Sequence, residues 1–214
     1  MPVILITKES PPELLEQIAK LHRIEIPSGF LTTLGHGFLL SFYNAMASAH
    51  SAIFLASINA DLSGGAAVVN GFIVGAISTR KLQIQMLRTH GLRLMRALMT
   101  SSLLTKRNFA GLFDIFLYPG KRLEPNLPES EIVNFCVRQE LQGQGIGREL
   151  FSSLNREFFN RGIHKLKIVT GVNQKSAQTF YKNAGATLVG ELSVHKGQGS
   201  FVYIYEIPQP NLQQ

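Results

Sequence analysis

The stretch Gln142-Gly143-Gln144-Gly145-Ile146-Gly147 constrains this chain more than any other. It follows the apolar run Ile132 to Val137 and precedes an amphipathic run from Arg148 to Arg161, so it joins a strand to a helix. The first four backbone N–H groups of a helix have no intrahelical partner, and the helix dipole adds partial positive charge at that end. Glycines admit a phosphate to those amides without a Cβ in the way. The stretch therefore reads as an anion-binding turn, against the plainer alternative of a tight left-handed connection. Two phosphate-binding motifs do not fit. A dinucleotide turn requires G-x-G-x-x-G and an acid about 20 residues on, where this chain has Ile163-His164-Lys165. A phosphate loop requires Lys and then Ser or Thr after its last glycine, where this chain has Arg148.

The surrounding periodicity predicts one α/β domain. Val3 to Thr7 reads as a strand, and Pro11-Pro12 opens a helix to about Arg23 with Leu14, Leu15, Ile18 and Leu21 on one stripe. A second helix is expected over Leu31 to Ala49, a buried strand over Ala52 to Ser57, and two strand segments around an Asn70-Gly71 turn. Ile84, Leu87, Gly91, Leu94, Met95 and Leu98 recur at helical spacing. A loop is expected from Pro119 to Pro128, strands over 132–137 and 165–170, a helix over 176–183, and two closing strands around Lys196-Gly197-Gln198-Gly199. Strands follow one another directly near both ends, so the sheet is expected to be mixed rather than doubly wound.

Composition excludes several classes. One cysteine, Cys136, among 214 residues rules out an internal disulfide and suggests a reducing compartment. The N-terminus shows no secretory leader, and no run reaches the roughly 18 uninterrupted apolar residues of a membrane span, so the expectation is a cytoplasmic protein with no membrane partner. The six histidines show no metal-ligand spacing, and no metal site is expected. The formal charge is +7, and the acid-free interval between Asp61 and Asp114 holds Arg80, Lys81, Arg88, Arg93, Arg96, Lys106 and Arg107. That stretch favours a polyanionic partner or is a solvated helix face.

Read with Gln142, the turn is Gln-x-x-Gly-x-Gly after a strand, and it resembles the acetyl-CoA signature of the GNAT superfamily of N-acetyltransferases. Downstream, "VTGVNQKSAQTFYKNAGATLVG" resembles that family's second signature through Asn173, Ala177, Phe180-Tyr181 and Gly185. The two signatures cover roughly 131–190. The resemblance implies a single GNAT-like domain over 1–214, with a central, mixed, mostly antiparallel sheet flanked by helices. It implies acetyl-CoA as co-substrate, held by the backbone from Gln142 through Gly143, Gln144, Gly145 and Ile146 to Gly147. Phe135, Cys136 and Val137 are expected to pair with pantetheine like an added strand. Asn173 is expected on the pantetheine arm and Arg148 near the phosphates.

The same resemblance assigns chemistry. Tyr181 matches the family's general-acid position, donating a proton to the departing thiolate or stabilising its charge; the alternative is an aromatic core residue. Glu131 in "EIVNFCV" matches the glutamate-bearing strand of the histone acetyltransferases in this superfamily. It is the candidate base, directly or through water, against the alternative of a solvated strand start. Cys136 reads as core rather than as a nucleophile.

The acceptor is expected to be a small-molecule primary amine, an amino sugar among the candidates. "LHRIEIPSGFLTTLGHGFLLSFY" resembles the N-terminal half of a GNAT branch with mostly unassigned substrates, and His22, Phe30 and His195 are the candidate substrate-side residues. A homodimer is compatible with this reading. Two other readings compete: a catalytically silent CoA-binding regulatory module, and a nucleic-acid-binding protein using 80–107. The last lacks a recognition motif and interleaved aromatics.

Overall fold

The computed structural model describes residues 1–27, 29–59, 67–99, 127–195 and 198–209, with the side chains of 192–198 outside that description. The expected loop from Pro119 as far as residue 126, Lys106, Arg107, the Lys196-Gly197 turn and the His195 side chain lie outside the described residues.

Strand β1 (Val3–Leu5) leads to α1 (Pro12–Glu25), which opens on a proline whose missing N–H costs nothing at a first helical position. Leu14, Leu15, Ile18 and Leu21 are buried on its inner face. The expected second helix is divided into α2 (Phe30–Thr33) and α3 (His36–Ala47), because Gly35 sits between them at φ 88°. Strands β2 (Ala52–Asn59) and β3 (Val68–Ala76) follow, then α4 (Thr79–Met99) and β4 (Glu131–Val137). A short 3-10 turn (Gln139–Leu141) precedes α5 (Ile146–Asn160), β5 (Lys165–Gly171) and α6 (Lys175–Asn183). Strands β6 (Thr187–His195) and β7 (Gln198–Glu206) close the fold.

Seven strands form one sheet in the order β1-β2-β3-β4-β5-β7-β6. Every neighbouring pair is antiparallel except β4 and β5, which are parallel. One face packs against α1, α3 and α4 through Ile18, Tyr43, Phe54 and Phe72; the other packs against α5 through Leu150, Leu154, Phe158 and Tyr203.

Two expectations fail for physical reasons. Asn70-Gly71 is not a turn but lies within β3, where a Cβ on Gly71 would meet the Cys136 carbonyl oxygen at 2.9 Å. This glycine serves close strand approach. On α4, the buried residues are Leu82, Met86, Leu94 and Leu98, whereas Ile84, Leu87 and Met95 of the expected stripe are exposed.

The feature that shapes the site is a fork. At the β3–β4 pairing, Val74 faces Asn134 and Gly75 faces Ile132, so Val133 is an extra residue that bends β4. Strands β4 and β5 pair only at Glu131 with Lys167 and Ile132 with Ile168, and then separate.

Candidate active site

The glycine turn uses its three glycines differently. Gly143 and Gly145 have φ of 80° and 88°, where an L side chain is strained, and a Cβ on either meets no atom within 4 Å. Gly147 sits where α5 meets β4, and a Cβ there would make ordinary contact with the Phe135 ring at 3.4 Å. Gly145 caps α5 with no side-chain bond, so the first-turn amides have no side-chain capping partner. Gln142 Nε2 donates to the Val137 carbonyl at 3.1 Å and ties the turn to the end of β4.

A cleft of about 590 Å³ runs along this turn. Phe135, Cys136, Val137, Gln142, Gly143, Gly145, Gly147 and Arg148 line it, as does Tyr181. Gln144 is exposed, its Nε2 donating to the Glu140 carbonyl at 3.3 Å, and the Ile146 side chain is core, so only their backbones are available to the turn. Asn173 is exposed between β5 and α6 and is not among the described residues of this cleft wall; the adjacent Gln174 is, while its Oε1 accepts from Gly171 N at 3.0 Å. Glu25 and Ile26, at the end of α1, form the opposite wall, and Glu25 Oε1 accepts from Gln139 N at 3.1 Å. No motif could have announced them, because their contact to the turn spans more than a hundred residues. Ser176 was within reach of the sequence, in the turn of helix before Ala177.

Past Ile132, β4 has no strand neighbour on its β5 side among the described residues. Its Val133 to Val137 backbone is therefore an open edge within the sheet, able to accept an extended partner. A second cavity of about 240 Å³ occupies the fork on the side of α1 and α2, and Ile26, Phe135, Gln174, Ala177 and Tyr181 line both cavities. Of the three substrate-side candidates, His22 and Phe30 line this second cavity.

Tyr181 is 4% exposed and packs against Phe135, Phe151 and Phe180. Burial holds its phenol well above the usual value, so it stays protonated. No residue among those described bonds its hydroxyl. His22 is 2% exposed, and burial pushes its imidazole down to about 4, so it is neutral near pH 7. Its Nδ1 meets the Tyr43 hydroxyl. Burial pushes the Cys136 thiol up to about 12, which leaves it a poor nucleophile.

Glu131 lies at the closed end of the fork and lines neither cavity. Its Oε2 is 3.0 Å from Lys167 Nζ. Burial raises the carboxyl above its usual range, and the ammonium offsets part of that rise. Among the described residues, Arg148 is the cation on the cleft wall; the arginines of α4 line neither cavity. No described helix is long and apolar enough to cross a membrane.

A model of the acetyltransferase (GNAT) family matches residues 41–186. A search of curated proteins by sequence found no match. Among solved structures, an aminoglycoside 6'-acetyltransferase type Ii is similar at 16% identity and a TM-score of 0.61, over 98% of this chain and 100% of that one. An aminoglycoside 6'-N-acetyltransferase complexed with coenzyme A is 14% identical with a TM-score of 0.57, over 99% and 100%. The ribosomal-protein-S18-alanine N-acetyltransferase from Escherichia coli is 12% identical with a TM-score of 0.53, over 100% and 99%. At these identities the likeness is one of fold.

Proposed function

The chain belongs to the GNAT acetyltransferase family, and on that premise we propose that it transfers an acetyl group from acetyl-CoA to a primary amine by direct attack. One observation carries the reading: the uncapped glycine turn and the open edge of β4 line a single cleft, and Tyr181 stands where that cleft meets the second cavity. The uncapped amides of the turn and Arg148 suit a pyrophosphate, and the β4 edge suits the amide-bearing pantetheine chain. Acetyl-CoA supplies the acetyl group as a thioester. In the transfer an N–C bond forms as the C–S bond breaks, nitrogen loses one proton and sulfur gains one.

Tyr181 serves the sulfur side of that balance. A phenol with a raised pKa gives up its proton reluctantly, so its main contribution is a hydrogen bond to charge developing on sulfur. Glu131 is the proposed base. It stands outside both cavity walls, so it acts through water, and its raised proton affinity favours that role while Lys167 limits it. The acceptor enters from the second cavity, a small molecule or an amino sugar. Calorimetric titration of CoA, followed by thiol release with an amine panel, tests the proposal. Binding without release with any amine favours a silent CoA-binding module, and absence of binding refutes the assignment.

A further inference from the structure

We infer that the acceptor side of this site takes a small monoamine bearing an uncharged hydroxyl or amide group, and that it discriminates against polycationic amines. This rests on the acetyl-transfer reading above. The fork cavity, at about 240 Å³, is below the roughly 300–1,000 Å³ of pockets that enclose drug-sized ligands. About half of its wall is apolar, through Ile26, Phe30, Leu31 and Val133 among others. No described residue that lines it carries a charge: its histidine is neutral, and the Glu131–Lys167 pair is outside the wall and mutually compensated. A second ammonium brought into such a space loses water and, among the described residues, gains no counter-ion.

The polar groups of the wall point to a neutral partner. Thr170 is 4% exposed, and its Oγ1 is buried with no hydrogen-bond partner. Asn134 Nδ2 is buried in the same condition, on the strand across the fork. His22 adds a ring whose Nδ1 is engaged by Tyr43. Buried polar groups without partners are uncommon, and their cost is recovered when a ligand bonds them. One hydroxyl or amide both donates and accepts, which matches a hydroxyl on one side and an amide N–H on the other. A polyamine or an aminoglycoside brings further ammonium groups, for which these neighbours offer no compensation.

The test is a comparison of kcat/KM by thiol release from acetyl-CoA, with the full chain and five amines: 2-aminoethanol, glucosamine, propylamine, spermidine and kanamycin. The expected result is a preference on the order of 100-fold for 2-aminoethanol or glucosamine over spermidine and kanamycin. Thr170→Val replaces the hydroxyl with a methyl group of similar size. It should raise KM for the preferred hydroxylated amine about 2- to 12-fold and leave propylamine and acetyl-CoA unchanged. Asn134→Asp places a carboxylate in the cavity and should raise the ratio of spermidine to 2-aminoethanol turnover about 10-fold or more. Spermidine or kanamycin matching the monoamines overturns the inference, as does Thr170→Val altering propylamine and the hydroxylated amine equally. If spermidine or kanamycin is acetylated and no monoamine is, the inference alone falls; if CoA binds and no amine is acetylated, the acetyl-transfer reading falls with it. If CoA does not bind, the acetyl-transfer reading falls and the inference goes with it.

Discussion

Single side chains divide here between holding protons and holding the fold. Tyr181→Phe keeps the ring among Phe135, Phe151 and Phe180 and removes the hydroxyl alone. Turnover should fall about 10²–10³-fold, the usual cost of one donor to developing charge, with KM for acetyl-CoA and the melting temperature little changed. A variant with near wild-type turnover would return Tyr181 to the core. Glu131→Gln separates two roles. It leaves Lys167, a 10% exposed side chain, without its carboxylate, and stability should fall on the order of 2 kcal/mol whatever the mechanism. A base role adds a rate loss at neutral pH that recovers partly in alkali, where more amine is already unprotonated; a pH–rate profile parallel to wild type removes it. His22 predicts acid sensitivity. The unfolded imidazole takes its proton near the usual 6.5 and the folded one only at about 4, so the folded state binds fewer protons between those values. Stability is full above 6.5 and is lost as pH falls toward 4, by on the order of 3 kcal/mol. Urea denaturation across that range should show the loss in wild type, and His22→Gln should flatten it.

At the level of elements, two glycines that look alike in sequence answer to different constraints. Gly71→Ala drives a Cβ to 2.9 Å from a backbone carbonyl that cannot yield, and should cost about 1–3 kcal/mol in urea denaturation. Gly145→Ala meets open space but forces alanine to φ 88°, at about 1–2 kcal/mol. The second change alone should weaken CoA binding in calorimetry, because it disturbs the amides of the turn, and equal affinity in a folded Gly145→Ala would sink the turn's role. The contrast also marks what sequence made legible. The alternation of strands and helices was readable from apolar periodicity, and the Gly145 turn from its position between a strand and a helix. Asn70-Gly71 misled because a turn pair and a glycine under a crossing carbonyl are written identically. The α4 stripe misled because Leu82 and Met86 share their helical spacing with Ile84 and Leu87, and only the neighbouring α3 decides which pair is inside. Glu25 and Ile26 were illegible, since α1 meets the turn only through the tertiary fold.

The whole molecule presents a sheet divided over part of its length. If the cleft takes CoA along β4, hydrogen exchange should slow on CoA addition at those amides of Val133 to Val137 that point away from β3, and change little at Glu131 and Ile132, already beside β5. Unaltered exchange in the presence of saturating CoA would count against the added-strand reading. The fork has a consequence of another kind. Unpaired strand edges invite pairing with another chain and so aggregation, and proteins ordinarily blunt them at the outer rim of a sheet. Here the open edge lies between β3 on one side and β5 on the other, with α1 and α6 beside it. A thin, flexible chain can thread into that gap, whereas a strand already paired within another folded sheet is too broad to enter. Placing the edge inside the sheet lets the protein keep exposed hydrogen-bonding capacity without offering a template for self-association.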